Sequence, residues 1–128
     1  MTVGLSATNL ANKWLDMIRG TAFTAPSAVY VKLHTAAPGA AGTSNAATET
    51  TRKAVSFAAA SGGSMASDAD VSWTGIAGSQ DATHFTAWDD VSAGNFLFSG
   101  TITANAYTAG DTYTIPSGSL TVSLTLAS

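Results

Sequence analysis

The sequence predicts a mainly β protein, an antiparallel β-sandwich or small barrel of about seven to eight strands with one N-terminal α-helix. Three observations carry that expectation. Apolar and polar residues alternate through most of the chain beyond residue 28. Clusters of Gly, Pro, Asn, Asp and Ser interrupt the alternation about every ten to fifteen residues, the spacing of short strands joined by turns. A helical period occurs once, within the first twenty residues.

In SATNLANKWLDMIRG, Leu10, Trp14 and Ile18 recur every four residues, and Leu15 and Met17 widen the stripe. Ser6 or Thr8 offers an N-cap oxygen. Arg19 followed by Gly20 offers a stop, a cation at the negative end of the helix and then a residue that accepts left-handed backbone. The spacing predicts a helix over about residues 7–19. Such a stripe is ordinarily core; in a protein built for assembly it docks on a partner, with Trp14 as an anchor.

Beyond the helix the period is two. Val29, Val31 and Leu33 alternate with Tyr30, Lys32 and His34; Val55 and Phe57 follow Arg52 and Lys53. Ala69, Val71 and Trp73 form a third stripe, Phe85 and Ala87 a fourth, and Phe96, Phe98 and Ile102 a fifth. Gly100 interrupts the fifth, where a bulge or close packing is expected. Tyr113 and Ile115 mark a short strand. Leu120, Val122, Leu124 and Leu126 give the cleanest alternation of all. SGGS (61–64), DDVSAGN (89–95), AGD (109–111) and PSGS (116–119) read as turns, and residues 36–51 as the most mobile segment. A helical segment (1–20) and a β region (21–128) are expected to form one domain.

Only 10% of residues are charged, against about 25% in an average domain. The polar surface falls to 34 Ser and Thr residues, a composition suited to a sheet protein packed against neighbours. The net charge of −3 and five scattered basic residues give no footprint for nucleic acid. With no cysteine, disulfides and thiolate metal sites are excluded. No apolar run approaches the length of a membrane span, and the first twenty residues lack the pattern of a signal peptide.

THFTAWDD (83–90) concentrates residue types that are scarce elsewhere. His84 with Asp89 or Asp90 suggests acid–base chemistry, but no nucleophile motif accompanies them. Read as architecture, Trp88 packs against a neighbour and the aspartates cap a turn. His34 and His84 lack the third nitrogen or sulfur ligand that a transition-metal site needs. Asp68 and Asp70 lack the spaced oxygens of a calcium loop. No catalytic residue, metal site or cofactor is therefore expected. The expected interface residues are Leu10, Trp14, Ile18, Arg52, Lys53 and Trp88. Tyr30, Trp73, Trp88 and Tyr107, where exposed, are the stacking platforms that a glycan would use.

The order of segments carries a resemblance. VKLHTAAPGAAGTSN, TTRKAVSF, ASGG, VSWTGIAG, THFTAWDDVSAGNFLFSGTITA and AGDTYTIPSGSLTVSL follow one another between residues 31 and 124. This succession resembles a family of small tailed-bacteriophage virion proteins commonly labelled phage tail fibre proteins. The resemblance implies a β-rich, non-enzymatic structural protein, made in the bacterial host cytoplasm and built into the virion. It implies a homo-oligomer in contact with major capsid or tail proteins, placed as a capsid decoration or as a tail or fibre component. The alternative is a carbohydrate-binding adhesion module that meets a host surface glycan.

Overall fold

Long alternating strands need partners on both edges and an apolar layer on one face, and two such strands organise this molecule. The computed structural model describes residues 2–128. In chain order the strands are β1 (Val29–His34), β2 (Lys53–Val55), β3 (Ser64–Ala66), β4 (Val71–Trp73), β5 (Gln80–Trp88), β6 (Phe96–Tyr107), β7 (Tyr113–Ile115) and β8 (Thr121–Ser123). β5 and β6, the longest, sit side by side in an antiparallel sheet of order β2-β1-β5-β6. Two short ladders, β4 with β7 and β3 with β8, supply the second layer. No sheet among the described residues closes on itself, so the fold is a sandwich and not a barrel.

The register explains the core. Val31 faces Ala87, Leu33 faces Phe85, and Ala87 faces Phe98. These five side chains share one face of the sheet and are fully buried. Val71, Trp73, Tyr113 and Ile115 from the second layer, with Ile76 and Leu120, join the same cluster. Phe85 and Phe98 meet edge to face at 6.0 Å, as do Phe57 and Phe98, the geometry that aromatic quadrupoles favour. Gly100 lies opposite Phe85. A Cβ there would stand 2.6 Å from the Phe85 ring, so the interruption in the fifth stripe is a site of close packing.

Residues 4–6 run along the outer edge of β6. The Ser6 N–H donates to the Leu97 carbonyl (2.7 Å), and the Ser99 N–H donates to the Gly4 carbonyl (2.8 Å). The chain then enters a wide π-turn (Ala7–Ala11) that leads into α1 (Asn12–Ile18). Ser6 is the N-cap, accepting from the Asn9 N–H at 3.2 Å. Gly20 at φ +98° closes the helix, with Thr21 N–H bonded to Asp16 and Gly20 N–H to Met17, the paired bonds of a Schellman motif.

Three local expectations need correction. Of the helical stripe, Leu10 is buried and Trp14 half-buried, while Leu15, Met17 and Ile18 are exposed at 64, 47 and 85%. Only the first part of the helical segment touches its own core. The C-terminal alternation pairs only over 121–123, and Leu124 and Leu126 remain largely exposed. β3 was not foreseen, because its one large apolar residue, Met65, makes no stripe. Its turn, SGGS, is as expected: Gly62 (φ +58°) and Gly63 (φ +72°) adopt the doubly positive conformation of a two-residue hairpin turn.

Gly100→Ala is expected to destabilise the fold by about 1–3 kcal/mol, because a methyl group must displace the Phe85 ring within a filled core. Denaturant unfolding would show this as a lower midpoint at unchanged slope. An unchanged midpoint would mean that Phe85 has room to move.

Candidate functional site

The opposite face of the four-stranded sheet is polar, and the strand period decides its membership. Tyr30, Lys32 and His34 of β1 face Trp88, Thr86 and His84 of β5, and Ser99 and Thr101 of β6 continue the row. Thr86, His34, Trp88 and Ser99 are buried even though the second layer lies on the other side. What covers them is the chain itself.

A hydrogen-bonded series runs across this face. The Trp88 indole N–H donates to Thr86 Oγ1 (2.8 Å), whose hydroxyl donates to His34 Nε2 (2.9 Å). His34 Nδ1–H in turn donates to the Ser44 carbonyl (2.8 Å). A carbonyl only accepts, so His34 is assigned as the neutral Nδ1–H tautomer. Burial pushes the His34 pKa down, and Lys32 and His84 push it the same way; the Ser44 bond opposes them without reversing the shift.

Through that bond the segment after β1 is tied to the sheet. The expectation of mobility at 36–51 gives way to a fastened strap: Thr35 N–H bonds to Asn45, Ser44 N–H to Pro38, and Ala47 N–H to Leu33. Gly42 lies flat against Phe96, where a Cβ would come within 2.6 Å of the ring. Glu49 finishes the strap, its buried carboxylate accepting from the Thr51 and Ala77 N–H groups. Burial alone would raise the Glu49 pKa, but these bonds and Lys53 leave it lowered.

Arg52 closes the other end. Its guanidinium lies 4.0 Å above the Trp88 ring, and Nη1 donates to the Asp90 (2.8 Å) and Ala93 (2.6 Å) carbonyls. The β5–β6 turn holds itself together as expected of the aspartates. Asp89 accepts from the Asn95 N–H (2.6 Å) and side-chain amide (2.9 Å), and Asp90 accepts from the Ser92 N–H (3.0 Å). The Ser92 N–H, together with that of Ala93, lowers the Asp90 pKa.

Of the six expected interface residues, the structure unites Arg52 and Trp88 and separates the rest. Trp88 is buried beneath Arg52, so it packs against its own chain. Lys53 lies opposite Val31, on the other face from Arg52. Leu10 is in the core, Trp14 at its margin, and Ile18 in solvent. His34 and His84 are opposite each other in register, but both His34 nitrogens are engaged, and His84 Nδ1 bonds Thr83 Oγ1 (2.8 Å). Asp68 takes the Ser56 hydroxyl and Asp70 the Ser117 N–H, so they serve separate turns. Of the four aromatic platforms, Trp73, Trp88 and Tyr107 are buried and Tyr30 is half exposed. Two features had no signal in the sequence: the stapling role of Glu49, and the buried Tyr107 hydroxyl, which has no hydrogen-bond partner among the described residues.

The Trp88–Thr86–His34–Ser44 series and the Arg52 clamp give this face an architectural part in a β-sandwich module. A family model described as podophage GP4 fiber I protein gp80 matches residues 5–123. The chain belongs to this family of phage fibre proteins. The match begins at the residue that pairs with Phe98 and ends with the last residue of β8. None of the curated proteins compared with the chain matches it.

The lowered His34 pKa has a definite consequence. The folded state binds the proton less readily than the unfolded chain, so the contribution of His34 is complete above the ordinary histidine value near 6.5. It is lost as pH falls below that value. Stability measured by denaturant unfolding is expected to decline between about pH 7 and 5, and His34→Gln is expected to flatten that slope. An unaltered slope in the variant would show that other groups set it.

Proposed function

We propose that the protein is a non-enzymatic component of a tailed-phage fibre and works by symmetric assembly with copies of itself and contact with neighbouring virion proteins. The observation that carries the reading is the exposed ridge of Leu15 and Ile18, three positions apart on α1, with Met17 exposed on another side of the helix. It projects from a helical segment whose root is locked to the sheet by Ser6 and Leu10. A rigidly rooted helix with an exposed apolar end is suited to insertion into a neighbour. The scarcity of charge elsewhere lowers the desolvation cost of contact. Arg52 and Lys53 contribute differently, the first as an internal clamp and the second as a half-buried cation on the opposite side of the sheet.

Two outcomes separate a fibre from a capsid decoration. Quantitative mass spectrometry of purified virions is expected to return a few to a few dozen copies per particle, as a tail appendage requires. Hundreds of copies would transfer the protein to the capsid lattice. A second reading, glycan adhesion, is favoured by one observation: the half-exposed Tyr30 shares a face of β1 with the half-buried Lys32, beside Arg52.

The combined Leu15→Asp and Ile18→Glu substitutions are expected to change stability by less than about 0.5 kcal/mol, since both side chains face solvent. They are expected to reduce the oligomer seen by light scattering and incorporation into virions. Normal assembly of this variant would remove the ridge from the interface.

A further inference from the structure

The strap over residues 35–46 leaves one end of the polar face open. Tyr30 and Lys32, both half-buried, lie on this side of β1. In the β1–β2 ladder Val31 pairs with Lys53, which brings Arg52 alongside Lys32. Arg52 is held by its contact with Trp88 and by the two Nη1 bonds. Its Nε and Nη2 donors make no bond to the described residues. Lys32 makes neither a hydrogen bond nor an ion pair among them; the one ion pair they contain joins Arg19 to Asp16. Burial and the neighbouring Arg52 push the Lys32 pKa down.

Two cations held together and partly desolvated are unfavourable unless an anion joins them. Asp89 and Asp90 are near enough to attract Arg52, but their oxygens accept bonds from their own turn and neither makes an ion pair with Arg52 or Lys32 among the described residues. The arrangement is thus a pair of donors, a fixed guanidinium edge beside an unbonded ammonium, with an aromatic ring on the same face of the strand. A fixed fork suits a carboxylate or phosphate. The adjacent half-exposed phenol offers a face on which a sugar ring can lie. A cationic pair and an aromatic plate together select a ring that carries the charge, in preference to a flexible acidic side chain.

We propose that Tyr30, Lys32 and Arg52 form a binding site for an acidic saccharide, with the carboxylate or phosphate held by Lys32 and the free edge of Arg52 and the sugar ring against Tyr30. The site rests on the adhesion reading and gives it a ligand class. It is independent of the assembly reading, which is tested on the helix.

Amide-shift titration by NMR of the full chain tests the site, with glucuronate, glucose 6-phosphate, glucose and inorganic phosphate as probes. The acidic sugars are expected to move the resonances of Tyr30, Lys32 and Arg52 and to bind several-fold more tightly than inorganic phosphate, while glucose moves none of them. Lys32→Gln is expected to weaken binding about tenfold at an unchanged melting temperature, because Lys32 holds no partner. Tyr30→Ala is expected to reduce the acidic sugars to the level of phosphate. Binding of glucose at this place, insensitive to Lys32→Gln, would overturn the acidic class and leave adhesion standing. Absence of any shift would overturn both. Phosphate binding as tightly as the sugars would reduce the site to an adventitious ion only. Tighter binding of an oligoglutamate peptide would reassign it to an acidic protein partner and overturn the proposal.

Discussion

One hydroxyl group holds the polar half of this protein together. Thr86 Oγ1 accepts from Trp88 and donates to His34, and it is fully buried while doing so. A buried hydroxyl left without partners costs about 1–3 kcal/mol. Removing either neighbour would therefore damage more than its own contact. Trp88 seats Arg52, and Arg52 gathers the carbonyls of the β5–β6 turn. His34 reaches Ser44 and fastens the strap. One strand thus supplies the aromatic core through Phe85 and Ala87 and, from the alternate positions, the centre of the polar network.

This division suits a protein with few charges. Only five side chains are cationic, and one of them, Arg52, is spent on internal carbonyls instead of on a carboxylate. The stapling falls to neutral hydroxyls, amides and backbone groups. Such bonds do not depend on ionic strength as surface ion pairs do. A particle component that meets varied salt conditions retains its shape for that reason. The same economy leaves Lys32 without a partner among the described residues and the apolar end of α1 in solvent.

The strands of the large sheet were legible because their faces differ: Val31 and Leu33 against Tyr30 and Lys32, Phe85 and Ala87 against Thr86 and Trp88. The limits of the helical segment were legible through Ser6 and Gly20. The turn-capping role of Asp89 and Asp90 could be read from chemistry alone. The Thr86–His34 bond could not, because it depends on the register between β1 and β5, which no local pattern encodes. The strap misled for a related reason. APGAAGTSN has the composition of a loose loop, and its order comes from Phe96 and His34 on strands that follow or precede it. The final alternation misled in the opposite sense, since periodicity reports a capacity to form a strand and β3 offers Thr121–Ser123 only three partners.

The pairing of residues 4–6 with 97–99 has a consequence in time. Gly4 and Ser99 are separated by 95 positions, and at ordinary synthesis rates that separation is roughly 5–20 s. Throughout that interval the N-terminal arm has no strand to join. Contacts of such sequence separation form slowly even in a complete chain. The apolar helix is thus made well before the strand that anchors it, so the nascent chain passes through a stage in which its apolar side chains have no intramolecular partner.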